Sequence, residues 1–353
     1  MIDYNKTVLK NGISLVTVKK PGKLFSLNMA LKVGSLAESL EEKGICHFIE
    51  HMLFKGTEFD DNASLNNKIE NLGGYFNAYT DYISTVYSIS ALSEELGNGL
   101  TVLRDMLLYP KFEDEELQKE KSVILSELRA SLDDAEETTQ KNLYYSAYET
   151  SPLKYDVIGN EETISSFTKE MLVDFHKNHY LPNNAVLVLI SENEHEEIIS
   201  LVESIFGTWE KGSKSTINLK FEKNIPGKYT SYKDMEQSCL GILYSFSITE
   251  EEKLPLRVLN YKLGVSGNSI LFRELRENRG LAYDVYSDLE LTDQMQNLLI
   301  YTQVSDESLD EAEELILRIL EEIKCGAFFH LNDLMIMKKV LKTSIYGTVD
   351  NIH

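Results

Sequence analysis

The sequence predicts an α+β protein made of two homologous α/β-sandwich domains, the second of them short at its C-terminal end. Three observations lead to this prediction: a length of 353 residues, an alternation of apolar strands with amphipathic helices, and a pattern that recurs in the second half. At roughly 150 residues per domain, the length corresponds to two domains. With 42% hydrophobic and 26% charged residues, the chain has the composition of a globular protein.

The first half alternates short strands with helices. Residues 13–33 predict two strands around a turn at Pro21 and Gly22, and residues 44–55 predict a short amphipathic helix. The stretch after Gly73 is rich in Tyr, Thr and Val, which is typical of one or two strands. The next predicted elements are two helices, a broken helical stretch, a strand and a helix, at residues 93–109, 113–135, 136–180, 185–190 and 195–207.

A polar segment with several turn residues, 212–227, is the predicted linker between the domains. It separates a first domain at residues 1–211 from a second at residues 228–353. The second domain is predicted to contain a strand, two helices, a strand and a late helix, at residues 239–248, 251–264, 269–279, 283–291 and about 333–345.

Two stretches share one order of features. Each runs from a glycine through an aromatic strand, a second strand and a turn of serine and two acids into an amphipathic helix. The matching turns end at Leu96 and Leu309, which are 213 residues apart. We therefore expect an internal duplication, although any two strand–strand–helix units share some likeness. The second copy stops at His353, soon after its matching helix, and is expected to be the shorter one.

Charge and composition exclude several classes of partner. The net charge is −22, from 57 acidic and 35 basic residues. Such a surface repels phosphate backbones and anionic lipid, so we expect neither nucleic-acid binding nor membrane docking. The start of the chain has no apolar leader, and no apolar run of 18 residues occurs. Together with three widely spaced cysteines, which give no disulfide framework, this predicts a cytoplasmic protein.

The chemistry is expected at the sequence H-F-I-E-H, which contains His47, Glu50 and His51. Residues four apart on a helix share a face, so both imidazoles could bind one metal ion. Glu50 lies on the same face, where it could act as a base on a water at the metal. A catalytic zinc site takes three protein ligands, so one ligand is missing from this helix.

The third ligand is expected to be a carboxylate from another helix. Glu120 and Glu127 lie seven residues apart, two helical turns along one face. By themselves these two glutamates favour a solvated helix face over a metal site. Cys46 is expected to be a small core residue, and the remaining histidines show no metal-ligand spacing.

The stretch KGICHFIEHMLFKGT, residues 43–57, resembles the metal helix of the pitrilysin family of zinc peptidases, whose motif is H-x-x-E-H. The resemblance covers nearly the whole chain and is greatest to the branch with the mitochondrial processing peptidase and bacterial processing-protease-like proteins. It implies a zinc endopeptidase with Glu50 as general base and one Zn²⁺ per chain. The implied metal ligands are His47, His51 and Glu127, which lies 76 residues after His51, with Glu120 as a supporting acid.

The resemblance also implies how substrate is bound. The family's edge strand along the cleft corresponds to Asn77, Ala78, Tyr79 and Thr80. Arg276 and Tyr283 match an Arg/Tyr pair that reaches toward the substrate from the family's second domain, and their donors suit a peptide carbonyl oxygen. Family members enclose peptides between such domains, which implies a homodimer or a heterodimer with a related subunit. Subunits of this branch usually run longer than this chain.

Two other functions stay open at this point. One is a non-catalytic structural subunit of a related peptidase complex, which would be marked by loss of the zinc residues; here all four are present. The other is an iron enzyme, which would use two histidines and one carboxylate with open positions. Redox activity with ferrous iron would indicate the iron enzyme, whereas peptide cleavage that is inhibited by a chelator would not fit it.

Overall fold

The computed structural model describes residues 2–213, 221–234 and 236–350. These residues form two compact units. The first contains residues 2–129, 156–213 and 347–350, and the second contains residues 130–155, 221–234 and 236–346. The segment 130–155, which the sequence analysis places in the first domain, thus packs within the second unit. The predicted linker at residues 212–227 lies partly outside the described residues.

The first unit contains a six-stranded mixed sheet. Its strands are β1 (Asp3–Val8), β2 (Ser14–Lys19), β3 (Leu24–Leu31), β4 (Tyr75–Thr80), β5 (Thr85–Leu92) and β6 (Ala185–Ser191). Their order across the sheet is β1-β2-β6-β3-β5-β4. The pair β2 and β6 is parallel, and the other neighbours are antiparallel. Strand β4 therefore lies at one edge of the sheet.

Eight α-helices lie within residues 2–213. They are α1 (Ile45–Leu53), α2 (Asn62–Asn71), α3 (Leu96–Leu108), α4 (Asp114–Asp133), α5 (Ala135–Ala147), α6 (Glu161–Ser166), α7 (Lys169–His179) and α8 (His195–Phe206). Helix α5 lies in the second unit, where it packs on the sheet described below. Among the described residues, no helix combines the length and the hydropathy needed to cross a membrane.

The core of the first unit positions helix α1. Alternate side chains of β3 are buried, among them Phe25, Leu27 and Met29. Helix α1 adds Phe48 and Met52 to the same hydrophobic cluster. Because burial of each such side chain stabilises the fold by about 1.5–3 kcal/mol, the apolar face of α1 is fixed against the core. The opposite face of α1 is then available for the histidines.

The second unit contains a smaller antiparallel sheet. Its strands are β7 (Ser238–Ser245), β8 (Ala282–Leu291) and β9 (Gln296–Val304), in the order β7-β9-β8. Its further helices are α9 (Glu250–Asn260), α10 (Leu309–Lys324) and α11 (Leu331–Asp350) as far as Tyr346, with π-helical turns at Tyr261–Val265 and Phe272–Glu277. Strand β7 packs against α5, and a separate hydrophobic core forms around Ile300 and Ile316. The α+β class expected from the sequence is therefore found in both units.

The residue that precedes α1, Gly44, has a backbone conformation that favours glycine. Its φ is 95°, in the left-handed region, and an added Cβ would lie 2.4 Å from the carbonyl oxygen of Ile158. We expect Gly44→Ala to lower the free energy of unfolding by about 2–4 kcal/mol, measured by urea denaturation.

Gly97 provides a matched control for this substitution. It lies in α3, and nothing lies within 4 Å of a Cβ added there. Gly97→Ala should leave the free energy of unfolding unchanged or raise it by up to about 1 kcal/mol. Equal losses from the two substitutions would contradict the specific role of Gly44.

Candidate metal centre

The N-terminus of α1 is held by a buried acid. Glu38 accepts hydrogen bonds from the backbone N–H groups of Gly44 at 3.0 Å and Cys46 at 2.9 Å. These are first-turn donors that the helix itself cannot satisfy. Burial raises the pKa of Glu38 to about 7 against the opposing effect of these hydrogen bonds. The buried ammonium of Lys43 donates hydrogen bonds to the carbonyl oxygens of Ser35 and Glu38. The segment that precedes α1 is therefore fixed by the side chains of both Glu38 and Lys43.

Three side chains converge beside α1. Nε2 of His47 lies 3.7 Å from Oε1 of Glu127, and Nε2 of His51 lies 3.7 Å from Oε2 of the same carboxylate. One ligand atom from each of the three residues lies within 4.8 Å of the other two. Helix α1 supplies the two imidazoles and helix α4 supplies the carboxylate.

This donor set fits a divalent metal ion. Ligands at about 2.0–2.2 Å from a tetrahedral Zn²⁺ are about 3.3–3.6 Å from one another. The observed 3.7 Å separations are longer than good hydrogen bonds and close to that spacing. Burial, with the neighbouring His51, lowers the pKa of His47 to about 4, so its imidazole is neutral at neutral pH, as metal binding requires.

Glu120 orients one of the imidazoles. Its Oε1 lies 2.9 Å from Nδ1 of His51, and its Oε2 lies 2.8 Å from the ammonium of Lys55. Burial acts to raise the pKa of Glu120, but the hydrogen bonds from His51 and Lys55 outweigh it and lower the pKa. A carboxylate only accepts hydrogen bonds, so Nδ1 of His51 is the donor to Glu120, and Nε2 is the ring nitrogen that faces Glu127 and could bind a metal ion.

Glu50 lies between the two histidines in the sequence and is 8% exposed. Its Oε2 accepts a hydrogen bond of 2.6 Å from the hydroxyl of Thr80 in β4, which packs against α1. Burial raises the pKa of Glu50, against the effect of that hydrogen bond. A raised pKa makes the carboxylate a stronger base, which suits it to accept a proton and later release it.

Comparison with known proteins identifies the family. The family profile described as Insulinase (Peptidase family M16) matches residues 15–161, and the one described as Peptidase M16 inactive domain matches residues 166–327. An uncharacterized zinc protease of Rickettsia felis is 35% identical over 288 residues, which are 81% of this chain and 69% of that protein. This chain belongs to peptidase family M16.

Two further comparisons agree with the M16 assignment. The mitochondrial-processing peptidase subunit beta of Neurospora crassa is 34% identical over 206 residues, 58% of this chain and 43% of that protein. The crystal structure of a protease from Helicobacter pylori matches with a TM-score of 0.91 over 99% of this chain and 86% of that one. At 21% identity that match shows the fold alone. The predicted resemblance to pitrilysin-type zinc peptidases is confirmed by the family match.

The edge strand of this M16 protein presents two different faces. Asn77 and Tyr79 are exposed, whereas Ala78 and Thr80 are half-buried. Among the described strands, β4 pairs with β5 alone, so it is an edge strand of the sheet. The binding of a substrate along β4 stays a prediction. The hydroxyl of Thr80 donates a hydrogen bond to Glu50.

Arg276 and Tyr283 belong to the second unit of the M16 chain. The guanidinium carbon of Arg276 lies 4.9 Å from the centre of the Tyr283 ring and 4.8 Å from that of Phe272. Tyr283 is 73% exposed. The two predicted residues are therefore in contact with each other through a cation–π interaction. Their action on a substrate stays a prediction.

Sequence reasoning missed the role of Lys55. Its ammonium forms an ion pair with Glu120, behind His51. The sequence signal for this role was the position of Lys55 four residues after His51, because side chains four residues apart lie on the same helical face. Cys46 is fully buried, as expected. His176 contacts a backbone carbonyl oxygen and His195 contacts Thr17 and Asp3, so neither joins the metal-ligand group, whereas His353 lies outside the described residues.

Proposed function

We propose that this M16 protein is a zinc-dependent endopeptidase that hydrolyses peptides or unfolded segments of polypeptides. The observation that supports this most strongly is the convergence of His47, His51 and Glu127 beside the buried carboxylate of Glu50. The name zinc protease, given to the relative from Rickettsia felis, supports the same assignment.

Each side chain has a defined part in this mechanism. Zinc, when bound, supplies a Lewis acid that polarises a peptide carbonyl and lowers the pKa of water. The imidazoles of His47 and His51 and the carboxylate of Glu127 would hold the ion. Glu50 takes a proton from the attacking water, and the same carboxyl group then passes that proton to the leaving amine.

The substrate is proposed to bind as an extended strand. Backbone groups on the outer edge of β4 would pair with the peptide main chain, a mode that requires an unfolded or short substrate. Arg276 and Tyr283 are proposed to donate hydrogen bonds to a substrate carbonyl oxygen, where negative charge develops. A homodimer or a heterodimer with a related subunit, and a cytoplasmic location, are part of the same proposal.

An internal duplication is also part of the proposal. In the first unit the order β3-β5-β4 matches the order β7-β9-β8 of the second. In both, the antiparallel hairpin β4–β5 or β8–β9 runs into a short 3₁₀ turn and then into a helix that starts at Leu96 or Leu309. This shared order supports descent of the two units from one ancestral repeat.

The alternative is a non-catalytic subunit of a related peptidase complex. Such a subunit would fold in the same way. It would need neither a buried carboxylate at Glu50 nor a hydrogen bond to Glu120 that orients His51. The ion pair and hydrogen bonds of Glu120 behind His51 therefore favour the peptidase.

Metal removal tests the proposed function. We expect purified protein to cleave a mixture of unfolded peptides, to lose cleavage after treatment with a chelator, and to regain it with about one equivalent of Zn²⁺ per chain. Mass spectrometry of the peptide mixture measures the products. Recovery with Fe²⁺ alone and oxidised products would instead support the iron enzyme, and zinc binding without cleavage would support the non-catalytic subunit.

A further inference from the structure

We propose that Thr80 is a positioning residue that holds the carboxylate of Glu50 for proton transfer. This inference rests on the proposed peptidase function. It assigns to Thr80 a role different from the substrate contact expected of the edge strand, because its hydroxyl is directed to the helix that carries the histidines.

Strand geometry determines where the side chain of Thr80 lies. Successive residues of β4 alternate between two faces, and the even-numbered ones, Phe76, Ala78 and Thr80, are half-buried. Phe76 packs edge-to-face on Phe54, just beyond the C-terminal end of α1, with ring centres 5.3 Å apart. Thr80 is the last residue of β4 and pairs with Thr85. Its side chain is therefore on the face of the strand that packs against α1.

The hydrogen bond from Thr80 constrains Glu50 in a specific way. The hydroxyl donates to Oε2 at 2.6 Å, a length typical of a bond to an ionised acceptor. A glutamate side chain has three rotatable bonds, so one fixed oxygen removes much of its conformational freedom.

The same contact distinguishes the two carboxylate oxygens. Oε2 is engaged by Thr80, which leaves Oε1 as the oxygen that exchanges the proton. In that exchange the O–H bond of the attacking water breaks as a bond to Oε1 forms. The Oε1–H bond later breaks as the leaving nitrogen takes the proton, and Glu50 returns to its ionised state. Thr80 keeps its hydrogen bond throughout and acts through Glu50.

Kinetics of three variants test this role. Thr80→Val replaces the hydroxyl by a methyl group of similar size, and we expect kcat to fall about tenfold with KM nearly unchanged. Thr80→Ser keeps the hydroxyl and should restore kcat to within about twofold of wild type. The control is Thr101→Val in α3, where the lost hydroxyl donates to a carbonyl oxygen of its own helix, and kcat should not change. A rise in KM at constant kcat for Thr80→Val would overturn the proposal in favour of a substrate contact.

A structural measurement decides the proposal independently of activity. Crystal structures of the zinc-loaded full chain should show the Glu50 carboxylate in one position in wild type and in Thr80→Ser. In Thr80→Val the carboxylate should leave that position or occupy several. If it keeps the wild-type position there, the proposal is overturned, whatever the activity. If wild type cleaves no peptide, the peptidase function fails while this comparison still decides the contact of Thr80 with Glu50.

Discussion

Replacing Glu50 with Gln is expected to remove nearly all peptide cleavage from a protein that still folds and binds zinc. Glutamine has the same shape, and its amide oxygen can accept the hydrogen bond from Thr80 that Oε2 of Glu50 accepts. The amide cannot take a proton from water at neutral pH. Because a positioned general base contributes about 10²–10⁴-fold to the rate, kcat should fall by that factor.

The measurement is kcat on a fluorogenic peptide, with zinc content determined on the same samples. Glu196→Gln is a matched control, since it makes the same chemical change at an exposed position of α8. It should leave both kcat and zinc content unchanged. A Glu50→Gln protein with more than a tenth of wild-type kcat would exclude Glu50 as the general base.

Replacing Glu127 with Gln is expected to weaken zinc binding by more than about 100-fold. Loss of a group that only supports a ligand costs about 10–100-fold in metal affinity, and Glu127 is placed as a ligand itself. The substitution removes the negative charge that partly neutralises the ion. Glu120→Gln should fall within the smaller range, because Glu120 acts through His51.

Competition with a chromogenic chelator measures these affinities. Glu115→Gln is the matched control on the same helix, since Glu115 is 81% exposed at the side chain and pairs with Lys119 at the surface. Its zinc affinity should equal that of wild type. If Glu127→Gln bound zinc as tightly as Glu115→Gln, a different third ligand would be required.

Much of the candidate site could be predicted from the sequence because local geometry determines it. The spacing of His47 and His51 places them on one helical face, whatever the rest of the fold does. The choice of Glu127 over Glu120 as the ligand came from the resemblance, since the spacing alone did not distinguish them. The structure separates them by distance: Glu127 lies near both Nε2 atoms, while Glu120 contacts Nδ1 of His51 and Lys55.

Other features depend on packing and could not be predicted from periodicity. Strand β1 was not predicted, because its sequence DYNKTV contains strand-poor residues and, as an edge strand, it leaves both faces largely exposed. Helix α5 was correctly predicted as helical, but its pattern does not tell which sheet it packs against. The contact of Thr80 with Glu50 depends on which face of β4 meets α1. That is a tertiary property of the fold.

The most direct test of the metal centre is an anomalous difference map, collected at the zinc absorption edge from crystals of the full chain grown with Zn²⁺. We expect one peak per chain at about 2.0–2.2 Å from Nε2 of His47, Nε2 of His51 and a carboxylate oxygen of Glu127. A map without a peak among these three side chains, or with the zinc held elsewhere on the chain, would contradict the metal centre and the peptidase mechanism that depends on it.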